Sequence, residues 1–237
     1  MTMDALLVTP VKDSPETTLR TLQAVAAASG DFTYLVFDDF SGAETRDLLR
    51  NNRENYHYTL IELCHHTQTP SPNYNLVLQM AQQKALEMNL PLVLIESDVV
   101  IRKETIVDLL SVYKAASHPG LVGVITVGEN GTFNFPYAHV KKETTPWSPT
   151  SRSLSFCCTL LSTEFLRAYD FKKLPQQKDW YDIHISRQAK KMGFNNYLIQ
   201  EKGVLHLPHS SRPWKQLKYS HPLKYYFYKL LNHRDRI

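Results

Sequence analysis

The sequence has little glycine and little cysteine, and both shortages exclude classes of protein. Its 237 residues include eight glycines, and these do not cluster. The glycine-rich phosphate loops of nucleoside triphosphatases and dinucleotide-binding folds are therefore excluded. Cys64, Cys157 and Cys158 are an odd number without metal-ligand spacing, which argues against a disulfide framework and favours a reducing compartment. We expect all three to be ordinary small buried residues.

Long apolar runs are lacking too. No run approaches the roughly 20 residues that a membrane-spanning helix needs. The start of the chain, Met1-Thr2-Met3-Asp4, lacks the basic region of a signal peptide. The length favours one large domain over two. We therefore expect a soluble, cytoplasmic protein with a sizeable core.

The positive charge is concentrated at one end of the sequence. Residues 212–237 contain seven basic residues and one acid, a net charge of +6; the whole chain is +4, so the remainder is −2. This segment also holds four consecutive aromatic residues, Tyr225 to Tyr228. Such a mixture suits an anionic membrane surface; it also suits nucleic acid or a helix docked on the protein. The net acidic remainder argues against nucleic acid as a partner.

Apolar strands alternate with helices through the first half of the chain. Strands are expected at 5–9, 34–41, 57–63 and 92–95, and helices from Pro15 to before Gly30 and at 43–53, 75–88 and 103–116. Later strands are expected at 121–127, 155–162 and 196–200, with helices from Thr163 and over 179–192, and with loops at 134–152. Strands that are apolar without alternation indicate a parallel sheet covered on both faces.

We therefore predict an α/β fold with a mostly parallel, Rossmann-like sheet and helices on both faces. The domain is expected over residues 1–211, followed by the basic aromatic segment 212–237.

Polar groups follow several of the predicted strands. Thr9 to Asp13 follow the first, Asp38 and Asp39 end the second, and Glu96 and Asp98 end the fourth. Because ligands of parallel sheets bind outside the carboxyl ends of the strands, this edge is the expected site. A buried carboxylate also needs a compensating partner. The residues alone leave that partner open: a basic side chain, a helix N-terminus or a metal ion.

The order of these motifs resembles the family-2 glycosyltransferases, which have the GT-A fold. The resemblance covers roughly residues 4–211. It is carried by six segments: LLVTPVKDSPETTLRTL, VFDDFSGAETRDLL, NYNLVLQMAQQKALEMNLPLVLIESDVVI, SFCCTLLSTEFLRA, DWYDIHISRQAKKMGF and GVLHLPHSS. It implies a transferase that moves a sugar from a nucleotide-diphosphate donor to a saccharide or lipid-linked acceptor, with inversion at the anomeric carbon.

The resemblance also assigns a metal. Asp98 matches the second acid of the family's DxD motif, and Glu96 stands in place of the first. In the family this pair holds Mg²⁺ or Mn²⁺ on the donor diphosphate, and His206 matches a histidine that is sometimes a further ligand. Without the resemblance, Glu96 and Asp98 could be ordinary strand-end acids, one of them capping a helix, and His206 could be structural.

The same resemblance implies which residues bind the donor. Asp39 matches the aspartate that contacts the base or ribose, and Pro10 and Lys12 lie in the first nucleotide-contacting loop. Lys12 could approach a phosphate or remain solvated. Asn75 matches an asparagine at the start of the helix before the DxD strand.

The general base implied by the resemblance is Asp182. It matches the aspartate of the family's ED motif, with Tyr181 in place of the glutamate. Asp179 is the alternative base, and the two acids could also form a helix cap. Because Glu96 and Tyr181 both depart from the family pattern, a rival hypothesis is a catalytically weak relative that binds sugar nucleotides or serves as a partner subunit.

Overall fold

The computed structural model describes residues 3–141, 143–175, 180–208 and 223. Six α-helices lie within this part of the chain: α1 (Pro15–Ala26), α2 (Ala43–Asn52), α3 (Tyr74–Met88), α4 (Thr105–Ala115), α5 (Thr163–Ala168) and α6 (Tyr181–Lys191). Nine strands lie there as well: β1 (Ala5–Val11), β2 (Phe32–Asp38), β3 (Thr59–Glu62), β4 (Leu92–Ile95), β5 (Val99–Val100), β6 (Pro119–Val127), β7 (Trp147–Pro149), β8 (Cys158–Leu161) and β9 (Asn195–His206).

All nine strands form one sheet in the order β3-β2-β1-β4-β8-β6-β9-β5, with β7 paired to β9. The first four are parallel neighbours, and β6 pairs in parallel with β9. β8 is antiparallel to both β4 and β6, and β5 and β7 are antiparallel to β9. Six of the nine strands therefore run in one direction, which confirms the predicted α/β fold with a mostly parallel sheet.

The sheet is covered on both faces because its strands carry apolar side chains on both. In β1, Leu6 and Val8 enter one buried cluster together with residues of α3, α5 and α6. Ala5 and Leu7 enter a second cluster with residues of α1, α2 and α4. Successive side chains of a strand point to opposite faces, so the two clusters lie on opposite faces of the sheet. This accounts for the absence of alternation in the sequence.

Two local predictions need correction. The stretch 134–152, expected to form loops, contains the short strand β7, which pairs with β9. Helix α1 begins at Pro15 as expected, and its Ser14 side chain makes no capping hydrogen bond. The neighbouring Asp13 instead accepts a hydrogen bond from the backbone N–H of Gly42, 2.8 Å away, at the start of α2. The last strand continues to His206 instead of ending at residue 200. This extension brings His206 to the edge where β2 and β4 end.

The chain divides into two units, Met1–Leu207 and Pro208–Ile237. Almost all of the second unit lies outside the described residues, so the basic aromatic segment 212–237 stays a prediction. None of the described helices combines the length and the apolarity that crossing a bilayer requires.

Candidate active site

The candidate site lies where β4 ends and the chain turns back toward β9. The N–H of Glu96 donates to the Cys157 carbonyl, 3.1 Å away, which continues the contact between β4 and the chain before β8. The two-residue strand β5 pairs Val99 with His206. The N–H of Leu207 then donates to the Asp98 carbonyl at 2.8 Å. These backbone bonds fix the register that sets His206 against Asp98.

Asp98 and His206 form a buried pair. Asp98 is 4% exposed, and its Oδ2 lies 3.3 Å from Nε2 of His206. The other ring nitrogen, Nδ1, lies 2.7 Å from the Phe135 carbonyl oxygen, which fixes the ring orientation. Burial acts to lower the pKa of His206. The hydrogen bond and charge of Asp98, the charge of Glu96 and the Phe135 carbonyl outweigh burial, so the pKa is raised.

Glu96 and Cys157 lie beside this pair. The Cys157 thiol donates to Oε2 of Glu96 across 3.3 Å. Burial, followed by the charges of Glu96 and Asp98, raises the pKa of the Cys157 thiol well above its ordinary value, which keeps the thiol protonated. We call Glu96, Asp98, Cys157 and His206 the acidic cluster. Cys157 is buried as expected, but nothing in the sequence indicates its contact with Glu96.

The donor set fits a divalent cation. The ligand atoms of Glu96, Cys157 and His206 lie within 4.8 Å of one another, and Asp98 is in contact with His206. Carboxylate oxygens suit Mg²⁺ and Mn²⁺, and imidazole suits the transition metals. Of the three partners that the sequence left open for Asp98, the structure places a basic side chain, His206, against it and surrounds the pair with further ligand groups.

Asp39 lies at the end of β2 and is held by the loop before α3. Its Oδ2 accepts from the Ser71 hydroxyl and from the Asn73 backbone N–H, and its Oδ1 accepts from Nδ2 of Asn73, each at 2.8 Å. Sequence reasoning missed Asn73. The sequence feature that could have identified Asn73 is its position immediately before a helix, where asparagine is a frequent cap. In the structure its side-chain amide instead donates to Asp39 and to the Thr69 carbonyl.

The other predicted donor residues have different surroundings. Pro10 lies in β1 opposite Phe37 of β2, so it shares this edge of the sheet with Asp39. Lys12 is exposed, and its Nζ donates to the Phe40 carbonyl at 2.5 Å and lies 3.3 Å from the Asp13 carboxylate. Asn75 is half-buried in the first turn of α3, where its Oδ1 accepts from Gln79.

Asp182 lies in the first turn of α6 and is half-buried. Burial is the main cause of the raised pKa of Tyr137, and the charge of Asp182 makes a smaller contribution in the same direction. The Tyr137 hydroxyl accepts from the N–H of Ser155, whose Oγ is 3.3 Å from the Cys157 sulfur. The Tyr137 hydroxyl is therefore influenced both by Asp182 and by Cys157.

Tyr181 and Asp179, which both precede Asp182 in the predicted motif, have different outcomes. The Tyr181 hydroxyl donates to the Pro175 carbonyl at 2.9 Å, and the Tyr181 ring is buried, so this departure from the family pattern packs against the protein core. Asp179, the alternative base, lies outside the described residues.

Cys64, expected to be buried, is exposed, because it lies on a short turn after β3.

The fold and the site together define a class: an α/β fold whose acidic groups gather at the carboxyl edge of a mostly parallel sheet. The profile of the Glycosyl transferase family 2 matches residues 6–196. The chain belongs to this family, as the order of its motifs predicted. No curated protein sequence matches the chain significantly.

Solved structures show the same fold. S. aureus TarS 1-349 has a TM-score of 0.65 at 17% identity, over 86% of this chain and 60% of that one. The mannosyltransferase PcManGT from Pyrobaculum calidifontis, in complex with GDP-Man and Mn²⁺, has a TM-score of 0.66 at 15% identity, over 98% of this chain and 65% of that one. TarS 1-349 in complex with UDP-GlcNAc has a TM-score of 0.65 at 16% identity, over 89% of this chain and 60% of that one. The chain thus spans less than two thirds of the length of these structures, and the likeness confirms the GT-A-type fold.

Proposed function

We propose that the protein is an inverting, metal-dependent glycosyltransferase that uses a nucleotide-diphosphate sugar as donor and a saccharide or lipid-linked molecule as acceptor. The observation that carries this proposal is the meeting of Glu96, Asp98 and His206 at the carboxyl edge of a family-2 sheet. The complexes of similar folds with GDP-Man and Mn²⁺ and with UDP-GlcNAc support such a donor.

Asp98 and His206 are proposed to hold the cation, Mn²⁺ or Mg²⁺, with Glu96 facing the same point. Such an ion, when bound, acts as a Lewis acid that stabilises negative charge on the departing diphosphate. The protein prepares the site in advance, because backbone bonds fix Asp98 and the Phe135 carbonyl fixes the His206 ring. Side chains held in this way need little reorganisation when charge develops.

Asp39 is proposed to bind the base or ribose of the donor, with Pro10, Lys12 and Asn75 around the nucleotide. A carboxylate has about four acceptor positions, and Ser71 and Asn73 occupy three on Asp39. One position then remains for an N–H or O–H of the donor. The exposed Lys12 ammonium, which reaches the strand edge near Phe40, is suited to approach a phosphate.

Asp182 is proposed as the general base. Its carboxylate takes the proton of the acceptor hydroxyl while the acceptor oxygen forms a bond to the anomeric carbon. The bond from that carbon to the diphosphate oxygen breaks on the opposite side, so a single displacement inverts the configuration. A positioned carboxylate suffices for this role because the proton leaves as the new bond forms.

The segment 212–237 is proposed to bring the enzyme to the cytoplasmic face of an anionic membrane as a peripheral protein. Its net charge of +6 and its consecutive aromatic residues support this role. Basic residues near an anionic surface contribute roughly 1 kcal/mol each, which gives reversible attachment. A lipid-linked acceptor would be presented at such a surface.

A donor screen tests the proposal. The full chain is heated with a panel of nucleotide-sugars, each with and without Mn²⁺, and the unfolding temperature is recorded. A rise that needs both donor and metal is expected, since a ligand that binds the folded state stabilises it. The stabilising donor is then assayed for sugar transfer and for hydrolysis. Metal-dependent binding without turnover of any kind would favour the binding-subunit hypothesis instead.

A further inference from the structure

Cys157 is the member of the acidic cluster for which the proposed reaction has no role. Its side chain is 1% exposed, yet it faces two carboxylates and an imidazole. A small apolar residue would fill the same space but could not donate the hydrogen bond that Cys157 gives to Glu96. The thiol is therefore in a chemical environment that packing alone does not require.

The distances permit direct coordination. Bonds from a divalent ion such as Zn²⁺ measure about 2.3 Å to sulfur and about 2.0–2.2 Å to nitrogen or oxygen, so two ligand atoms of one ion lie at most about 4.5 Å apart. The Glu96, Cys157 and His206 atoms lie within 4.8 Å of one another. Small side-chain rotations would bring all three onto one ion, and Asp98 already contacts His206 at 3.3 Å.

We infer that Cys157 is itself a ligand of the divalent cation, which makes the site a mixed oxygen, nitrogen and sulfur site. On binding, the Sγ–metal bond replaces the S–H bond, and the released proton passes to the solvent. This inference rests on the proposed function, because it assigns a further ligand to the proposed cation. Thiolate ligands favour thiophilic ions, so the site takes Zn²⁺, Co²⁺ and Cd²⁺ in addition to the hard ions Mg²⁺ and Mn²⁺.

A different role for Cys157 makes a different prediction. The thiol donates a hydrogen bond to Glu96, and it could orient that carboxylate without touching the metal. Serine could then replace it, since a hydroxyl also donates to a carboxylate. A sulfur ligand, in contrast, gives a bound Co²⁺ ion a sulfur-to-metal charge-transfer absorption in the near ultraviolet, which oxygen and nitrogen ligands do not give.

The test is the absorption spectrum of the full chain titrated with Co²⁺ after removal of any affinity tag. The parent is Cys64→Ser, because the exposed Cys64 is followed by His65 and His66 and could bind the metal separately. This parent retains two thiols, Cys157 and Cys158. We expect the charge-transfer band in the parent and in its Cys158→Ser variant, and we expect its loss in the Cys157→Ser variant.

Affinity provides a second measurement. Cys157→Ser should weaken Cd²⁺ binding at least roughly tenfold, because even the loss of a residue that only supports a metal ligand costs about that much. The same substitution should leave Mg²⁺ binding nearly unchanged. If Cys157→Ser does not fold, the band in the parent and in Cys158→Ser still identifies the ligand.

Co²⁺ binding without the charge-transfer band would overturn the Cys157 assignment and leave the proposed metal site standing. Absence of any Co²⁺, Mn²⁺ or Mg²⁺ binding would overturn both.

Discussion

Nε2 of His206 lies 3.3 Å from Oδ2 of Asp98, although β8 and β6 separate β4 from β9 in the sheet. The chain leaving β4 spans the ends of these two strands before β5 pairs with the end of β9. The short strand β5 thus has one clear role: it joins the acidic end of β4 to the last strand. The candidate metal site is a product of that connection.

Removing Asp98 tests the metal site. Asp98→Ala should lower the rate of sugar transfer at least roughly 10²-fold, because the cation loses a carboxylate ligand. That factor is the upper end of what losing a residue that only supports a ligand costs at a metal centre. Nucleotide release from the donor gives the rate, and circular dichroism checks the fold. Asp108→Ala is the matched control, because Asp108 is a partly exposed acid on α4 that pairs with Arg102. Parent-like turnover by Asp98→Ala would show that the metal assignment is wrong.

Asp182→Asn tests the general base. Asparagine keeps the shape and still offers an acceptor to the N–H of Ile183, which Asp182 binds at 2.8 Å, so the fold and donor affinity should be preserved. Turnover should fall by a factor on the order of 10²–10⁴, the usual contribution of a positioned base. Donor affinity by calorimetry and turnover are measured on the same preparation. Normal turnover combined with an inactive Asp179→Asn would transfer the role to Asp179.

Asn73 should matter more for stability than Asn75. Asn73→Ala removes a buried amide that donates to the Asp39 carboxylate at 2.8 Å, and a hydrogen bond to a charged group contributes about 1.5–3 kcal/mol. The free energy of unfolding, from urea titration, should fall by about that amount. Asn75→Ala is the control and should cost less than about 0.5 kcal/mol, because Asn75 is half-buried and contacts Gln79 of its own helix. Equal losses would contradict the anchoring role of Asn73.

The three thiols should react at different rates. Burial raises the pKa of Cys158 to about 12 and that of Cys157 well above its ordinary value, so thiolate is scarce in both at pH 8. Cys64 is exposed. Metal-free protein treated with a thiol-reactive disulfide reagent should release one equivalent of chromophore quickly and two more only after denaturant is added. Three rapid equivalents would place Cys157 and Cys158 in contact with solvent.

Binding of the full chain to anionic vesicles tests the segment 212–237. Co-sedimentation should be strong at low salt and should weaken at high salt, because exposed charges are screened. Truncation after Ser211 should abolish vesicle binding and spare donor binding. Full-length protein that ignores anionic vesicles at low salt would contradict the membrane role. Unfolding of the truncated chain would instead assign the segment to the folded core.

The sequence predicted the six helices and the longer strands because their apolar residues follow clear patterns, but it missed the short strands β5 and β7. It also placed Asp39, Glu96 and Asp98 at the carboxyl edge, since strand ends can be recognised from the change to polar residues. The contact of Cys157 with Glu96 could not be predicted in this way. It depends on how the chain before β8 meets the end of β4, and that pairing joins residues 61 positions apart. Local propensity carries no information about such a pair.

The order in which the sheet is completed has a consequence for synthesis of the protein. The strands up to β8 can emerge from the ribosome while β6 still lacks its parallel neighbour β9, which leaves β6 with one open edge. His206 arrives only with the final residues of that last strand. A cation or donor that binds through His206 would therefore stabilise the finished sheet and not the nascent intermediate. Availability of the ligand would then favour chains that have completed folding over those that have not.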